Sequence, residues 1–369
     1  MLFTMPHAAP PPHTAVLIGR FQPLHLGHLA LLQQARAAAQ QVVVVLGSAW
    51  QARSPKNPFT WPEREALIRD SLPPADAARV RCVPVRDYYD EPRWVQAVMA
   101  AVHTQVPPGA RGALGGHFKD DSSHYLARFP GWELLSLPRQ GDFDATPISA
   151  CYWNLDEQPQ AAVAHQLSAL LPPAVADWLQ AWQASPDYAA LRAEWRMLSG
   201  YRAAWAAAPY PPVFVTVDGL LLCHGHVLLI QRGHAPGQGL WALPGGFVEP
   251  RDTLWPSCLR ELTEETALPL TAAALQSALQ GVEVFDHPDR SLRGRTITHV
   301  FVCHLPDPTL PAVQAGDDAA AARWVPLQAL ADLEAQMFED HFHVLRRCFE
   351  RFGAGPVPAL PCCPWNCSP

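Results

Sequence analysis

Residues 15–49 read AVLIGRFQPLHLGHLALLQQARAAAQQVVVVLGSA, and three changes of pattern inside them set the architecture of the amino-terminal half. AVLIG is a short unbroken apolar run closed by Gly19, as a strand buried on both faces requires. GHLALLQQARAAAQ mixes Leu and Ala with Gln and Arg at helical spacing, and QVVVVLGSA returns to a β-branched run. Strand, helix and strand in succession form a β-α-β unit, and the helical crossover makes its two strands parallel.

The alternation continues outward from this unit. REALIRDSL (64–72) reads as helix, RVRCVPV (79–85) as strand, RWVQAVMAAVHTQV (93–106) as helix and GALGG (112–116) as a short strand, so a parallel sheet with helical crossovers is predicted. From Gln160 to about Ala208 the chain is helix-rich, broken by Pro172-Pro173 and Pro186, and APYPP at 208–212 marks a boundary. Beyond it, VFVTVDGLLLC (213–223) and HVLLIQR (226–232) are strand-like, as are VEVFD (282–286) and TITHVFVCHL (296–305), with a closing helix expected near 327–351. Strands flanked by helices in this order suit a mixed-sheet α/β/α sandwich. The predicted division is a domain over 14–185, a helical linker over 186–209, a second domain over 210–352, and Pro-rich tails at 1–13 and 353–369.

In the second domain, residues 245–268 read GGFVEPRDTLWPSCLRELTEETAL. Glu261, Glu264 and Glu265 stand at i, i+3 and i+4, so on a helix their carboxylates leave from one face. Three like charges repel unless a cation lies between them, and carboxylate oxygens select hard ions such as Mg²⁺ or Mn²⁺. Arg260 can orient a carboxylate through its planar fork. A solvated acidic face is the plain alternative, but the Gly245-Gly246 turn and the interleaved Leu259, Leu262 and Leu268 weigh against it. Arg232, Arg290, Arg293 and Arg295 offer cations for a diphosphate. Glu249 is a further metal-ligand candidate, and Glu339, Asp340 and His341 in FEDH suit either a general base or a helix cap.

In the first domain, GRFQPLHLGH (19–28) joins strand to helix, where free amides and the positive helix end favour a phosphate. His25 and His28 lie about one turn apart, placed to meet the same phosphoryl group, and Gly27 permits close backbone approach. Such groups stabilise charge on phosphorus during in-line attack.

Both stretches resemble known families. Gly246, Asp252, Arg260, Glu261, Leu262, Glu264, Glu265 and Leu268 resemble the Nudix box, with Asp252 in place of its first Glu and Ala267 in place of its final Gly. That last change predicts a helix exit that avoids positive φ. His25 and His28 resemble the HxGH motif of nucleotidylyltransferases, and the GRFQP prefix narrows this to nicotinamide-mononucleotide (NMN) adenylyltransferases. With GSAWQARSPKNPFTWPERE (47–65), VRDYYDEPRW (85–94), GGHFKDDSSHYLARFPGW (115–132), PDRSLRGRTITH (288–299) and GDDA (316–319), the chain resembles bifunctional enzymes joining such a transferase to a Nudix hydrolase, over about residues 14–350.

The resemblance implies a Rossmann-like transferase sheet followed by a Nudix sandwich. Its ligands would be ATP, NMN or NAD, and ADP-ribose, with Mg²⁺ or Mn²⁺ as cofactor. Gly19, Arg20, Phe21, Asn57, Arg64, Lys119, Asp120 and Thr146 are the implied substrate-binding positions beside His25 and His28. For Asn57, Arg64, Lys119 and Asp120 a loop or capping role is the alternative. The hydrolase would cut ADP-ribose to AMP and ribose 5-phosphate through Glu261, Glu264 and Glu265. One departure stands out: FDATPISACYW (143–153) carries Ser149 where the family has an arginine on the triphosphate. Losing a charge-assisted contact of roughly 1.5–3 kcal/mol predicts weakened adenylyl transfer unless Arg53 or Lys56 compensates. The alternative is a chain active only as a hydrolase, with a nucleotide-binding first domain.

Composition narrows the partners. A net charge of −7 gives no basic footprint for nucleic acid, and no apolar run approaches a membrane span. The Pro-rich start lacks a signal-peptide core. Nine cysteines, an odd count, argue against a disulfide framework and for a cytoplasmic chain. Cys362, Cys363 and Cys367 in the tail lack the paired spacing of a zinc ribbon. Self-association into a homo-oligomer is allowed.

Overall fold

The computed structural model describes residues 12–107, 112–116, 128–138, 145–154, 166–306, 309–316 and 318–353. Lys119, Asp120 and the cysteine tail lie outside the described residues, as does the side chain of Thr146. The described chain falls into two compact units, one built from 12–49 and 57–188, the other from 50–56 and 189–353.

The first unit carries the parallel sheet. β1 (Thr14–Gly19), β2 (Gln41–Leu46), β3 (Val80–Pro84), β4 (Gly112–Gly116) and β5 (Glu133–Ser136) lie in the order β3-β2-β1-β4-β5. Every pairing is parallel. The chain moves outward from β1 to β3, then crosses back to β4, so the order reverses beside β1. In open α/β sheets a crevice forms at such a switch point, outside the carboxyl ends of the strands. Around the sheet run α1 (Leu26–Ala38), α2 (Trp61–Asp70), α3 (Pro74–Ala77), α4 (Glu91–His103), α5 (Ala145–Trp153) and α6 (Pro173–Trp182). α4 buries Val95, Val98 and Val102 at helical spacing against Val16, Val43, Val45 and Leu114 of the sheet. Asp90 caps it, accepting the N–H of Arg93 at 2.8 Å.

The second unit opens with α7 (Pro186–Ala204), most of which belongs to it. Its mixed sheet contains β6 (Val213–Cys223), β7 (His226–Arg232), β8 (Trp241–Ala242), β9 (Gly245–Phe247), β10 (Leu279–Phe285), β11 (Arg295–Leu305) and β12 (Ala319–Pro326). The main path is β10-β11-β6-β7-β12, with β8 on β7 and β9 on β6. β11 and β6 run parallel; the other pairs are antiparallel. One face packs Val217, Leu221, Leu228 and Phe301 against Cys258 and Leu262 of α8 (Leu254–Thr266). The opposite face packs Leu220, Leu229, Val300 and Val302 against Val344, Leu345 and Phe349 of α10 (His341–Phe352), completing the sandwich. α8 sits close on β6 because Gly219 has no side chain: a Cβ there would lie 2.9 Å from Leu262 Cδ2.

Two expectations are corrected, and three elements emerge that the sequence did not mark. The closing helix is two elements, a 3-10 stretch over Leu327–Gln336 and α10 over His341–Phe352. The break includes Glu339 at φ +42, which an α-helix does not accommodate. Ala267 does adopt the left-handed conformation, φ 47 and ψ 32, so the missing glycine did not reroute the helix exit. Its N–H donates to the Thr263 carbonyl, keeping the helix-ending geometry at a conformational cost of about 1–2 kcal/mol. Finally, β5, β12 and α9 (Ala272–Ala278) fall on stretches with no clear apolar period, which hid them from periodicity.

Candidate active sites

At the carboxyl end of β1, the loop 20–25 leads into α1. His25 is the residue preceding α1, and its Nδ1 accepts the N–H of His28 at 3.3 Å while His28 Nδ1 accepts the N–H of His25 at 3.4 Å. This reciprocal cap stacks the two rings, with centroids 3.6 Å apart and planes 20° from parallel. With each Nδ1 acting as acceptor, the neutral rings carry their protons on Nε2, the donor that imidazole offers to a phosphate oxygen. Burial, and secondarily His25, hold His28 well below the usual histidine range, while the Pro23 carbonyl acts in the opposite sense. His28 is therefore neutral at physiological pH, a hydrogen-bond donor rather than a cation.

Phe21, at φ +52, lays its ring 4.6 Å from that of His28. Gly19 leaves room for it: a Cβ there would stand 3.0 Å from Phe21 Cε2. Gln22 clamps the loop to the stretch before α2, donating to the Phe59 carbonyl at 2.8 Å and accepting the Phe59 N–H at 3.0 Å. Arg20 is exposed beside the turn, and Asn57 enters the segment leading to α2.

Arg64 is buried. Its side chain is almost wholly enclosed, at 1% exposure, and its guanidinium is spent on backbone carbonyls: Arg20 at 2.6 Å, Gly47 at 2.7 Å and Ser48 at 3.3 Å. Burial lowers its pKa to about 10, so it remains charged. It ties the β1 and β2 loop ends to α2, the structural alternative weighed for it. Asp87, which the sequence did not single out, accepts from the Ser48 hydroxyl at 2.5 Å and from its N–H at 3.0 Å. Ser149 stands with Pro23, Pro58, Phe59, Tyr152, Trp153 and Leu179 around one small apolar cavity. Arg53 and Lys56 fall in the stretch that belongs to the other unit.

The second site is built on α8. Arg260 reaches Glu264 Oε2 at 2.8 Å and Glu261 Oε1 at 2.9 Å, stands 3.7 Å from Asp252 and donates to the Phe247 carbonyl at 3.3 Å. It thus gathers the predicted carboxylates at the Gly245-Gly246 turn. A Cβ on Gly246 would lie 2.5 Å from Glu261 Oε1, so only glycine lets backbone and carboxylate meet. Glu265 is buried and accepts the Gly245 N–H at 2.8 Å. Burial pushes its pKa up to about 8, with the neighbouring Glu261 charge adding to the effect.

Among the described residues no three His, Cys, Asp or Glu side chains already converge on one point, because Glu264 is drawn to Arg260. The donor chemistry nevertheless fits a hard divalent cation. Glu261 and Glu265 are two oxygen donors close enough to repel, and the second is buried without a basic side chain bonded to it.

The arginines divide. Arg290 is locked in a two-pronged pair with Asp340, 3.0 Å and 2.8 Å, each side chain 4% exposed. The pair engages the Arg290 guanidinium and the Asp340 carboxylate alike. Arg295 donates to the Asp286 carbonyl, so it too is engaged in structure. Arg232 uses Nε on the Pro236 carbonyl at 2.7 Å and lies over the Phe338 ring at 4.3 Å, with no carboxylate partner. Arg293 lies over the Phe247 ring at 4.8 Å, its Nε buried and without an acceptor. After burial, Arg293 is the largest influence depressing the Arg232 pKa. Among the described residues neither guanidinium is tied up in a salt bridge, so both can still turn their N–H groups to an anion, although the charges of Glu339, Glu265 and Asp318 act on Arg232.

Two residues of FEDH hold neighbouring backbone. Glu339 Oε1 accepts from the Ser291 hydroxyl at 2.9 Å and from the Leu292 N–H at 3.0 Å. His341 Nδ1 accepts the Leu243 N–H at 3.0 Å, and burial holds it well below the usual histidine range. Asp218, missed in the sequence because it sits inside an apolar strand run, accepts from the Thr298 hydroxyl at 2.5 Å beside the Gly245 turn.

Comparison with known proteins bears on both units. The NUDIX domain family model matches residues 213–348 and the cytidylyltransferase-like model matches 16–91. The chain is 38% identical over 139 residues to a nicotinamide/nicotinic acid mononucleotide adenylyltransferase of Acinetobacter baylyi, covering 37% of this chain and 74% of that protein. It is 38% identical over 119 residues to an ADP-ribose pyrophosphatase of Methanocaldococcus jannaschii, covering 32% of this chain and 65% of that one. The crystal structure of a bifunctional NMN adenylyltransferase/ADP ribose pyrophosphatase from Francisella tularensis superposes with a TM-score of 0.84 at 34% identity, over 93% of this chain and 100% of that one. A second structure of that enzyme, complexed with AMP and a manganese ion, gives 0.83 at 33%. No helix among the described residues is long and apolar enough to cross a membrane.

Proposed function

We propose that this chain, which belongs to the family of bifunctional NMN adenylyltransferase/ADP-ribose pyrophosphatases, carries both activities, one on each compact unit. The first unit transfers the adenylyl group of ATP to NMN, giving NAD and pyrophosphate. The second hydrolyses ADP-ribose, with one water, to AMP and ribose 5-phosphate. A chain active as hydrolase alone is the less favoured reading, since relatives of both halves carry the named activities.

For the transferase, the stacked His25 and His28 rings at the α1 amino terminus are the carrying observation. Their Nε2 donors and the helix amides hold the triphosphate and stabilise charge on the attacked phosphorus. Phe21 and Gly19 shape that loop, Arg20 adds positive charge at its rim, and Asn57 belongs to the neighbouring wall. Lys119, Asp120 and Thr146 keep the substrate-binding roles the resemblance gave them. Ser149 supplies no charge, and transfer is correspondingly weakened. Measuring NAD formation from ATP and NMN beside Ser149→Arg tests this: the variant is expected to be faster, and equal or faster turnover by the unmodified chain refutes the weakening.

For the hydrolase, the carrying observation is the pair Arg232 and Arg293, neither in a salt bridge among the described residues and both within electrostatic reach of the carboxylates around α8. Glu261, Glu264 and Glu265 would hold Mg²⁺ or Mn²⁺, and the chemistry such an ion supplies is charge for the diphosphate and activation of water. Arg232 and Arg293 bind the diphosphate oxygens, Arg260 orients the carboxylates, and the Gly245-Gly246 turn lets all of them approach. Release of AMP from ADP-ribose, dependent on added divalent cation and lost in Glu264→Gln, tests the assignment. Undiminished cleavage by that variant would refute it.

A further inference from the structure

α7 enters the sequence reading as a linker and precedes the NUDIX match, which starts at 213. Within the second unit, however, it delivers one carboxylate to the loop beside the hydrolase site. Glu194 Oε2 accepts the N–H of Gly237 at 2.8 Å. We propose that Glu194 is a positioning residue for diphosphate hydrolysis, holding the 233–239 loop so that Arg232 faces the substrate. This rests on the hydrolase reading above.

The loop closes on itself, the Leu240 N–H donating to the Gly237 carbonyl at 3.0 Å, and is also tied outward, the Gly233 N–H donating to the Asp318 carbonyl at 2.7 Å. At its base the Arg232 N–H donates to the Leu240 carbonyl at 2.9 Å, and the Gly239 N–H donates back to the Arg232 carbonyl at 2.8 Å. At its far side Gly237, at φ +73, packs directly on Phe338: a Cβ there would lie 2.2 Å from the ring. That same ring carries the Arg232 guanidinium, whose Nε is bound to Pro236 inside the loop. Arg232 is therefore aimed by two supports, the Pro236 carbonyl and the Phe338 face, and both depend on where residues 236 and 237 sit. Glu194 fixes 237 from outside the loop. Its carboxylate also lies near the Arg232 and Glu339 charges, so it belongs to the electrostatic surroundings of the site while touching no reacting atom.

Removing the carboxylate leaves a buried N–H unpaired at the loop's tip and frees Arg232 to move. Because Arg232 contacts the diphosphate before and during cleavage, the loss is expected in KM more than in kcat. A helix that only braced the fold would lower the amount of active protein and leave KM untouched.

The test uses the full chain with Mg²⁺ and ADP-ribose. Glu194→Ala is expected to raise KM about tenfold with kcat within about threefold, and Glu194→Gln, which keeps an acceptor oxygen, to recover most of that affinity. In an Arg232→Ala background, Glu194→Ala should add no further KM change. An unchanged KM in Glu194→Ala, a Gln variant as impaired as Ala, or a full additional KM rise in the Arg232→Ala background would each overturn the assignment. Should Glu194→Ala not yield folded protein, Glu194→Asp, one methylene short, replaces it with the same expectations. If the unmodified chain does not cleave ADP-ribose, the hydrolase reading fails, and that result appears before any variant is made.

Discussion

Arg290 and Arg293 stand three residues apart and do opposite work. Arg290 completes a buried ion pair, and the Asp340 pKa, pushed up to about 6 by burial and drawn back by Arg290, reports how much that carboxylate depends on its partner. Breaking such a pair leaves an uncompensated buried charge at a cost of about 3–5 kcal/mol. Arg290→Ala should therefore lower the urea midpoint of the second unit sharply. Arg293 has no such partner, so Arg293→Ala should leave the midpoint nearly unchanged and raise KM for ADP-ribose about tenfold. Equal stability loss in both variants, read by urea titration alongside kinetics, would contradict the division. Sequence spacing cannot separate these arginines. Asp340 lies fifty positions from Arg290, and only the fold reveals which guanidinium it consumes.

At the scale of elements, the end of α8 carries a removable cost. Ala267 is exposed and left-handed, so Ala267→Gly should raise stability by about 0.5–1 kcal/mol, the strain relieved less the extra chain entropy of glycine. A thermal melt checks this, and a lower melting temperature would contradict it. α10 begins with a pH-sensitive residue. His341 is held well below the ordinary 6.5 by burial and by the nearby arginines, whereas in the unfolded chain it takes up a proton near that value. Its contribution to stability is complete above pH 6.5 and is lost as pH falls below it, by about 1 kcal/mol per pH unit. Urea midpoints at pH 7.5 and 5.5 should show the decline, and His341→Gln should flatten it. The α8 carboxylates, the His25–His28 spacing and the β-α-β opening were legible because each is a local pattern, helical spacing in the first two and unbroken apolar runs around a helix in the third. β12 was not, since AAAARWVP shows no alternation and becomes a strand by pairing with β7. Arg64 was legible as part of a site segment but not in its role, which depends on carbonyls of Gly47 and Ser48 brought to it by the sheet.

The whole molecule carries two phosphate chemistries, and among the described residues the His25–His28 pair lies in one unit and the α8 carboxylates in the other. The activities should therefore separate by mutation. Glu264→Gln should cut ADP-ribose hydrolysis by at least about 100-fold while NAD formation stays within about twofold. His25→Asn, which keeps a helix-capping side chain and removes the ring, should do the reverse. Loss of both activities in either variant would show that the sites are not independent.

The most direct measurement is AMP release from ADP-ribose by the purified full chain, titrated with Mg²⁺ and with Mn²⁺, beside Glu265→Gln. Saturable dependence on the cation, collapsing at least about 100-fold in the variant, is the predicted result. Cation-independent release, or equal rates in the two proteins, would contradict the assignment of the α8 carboxylates.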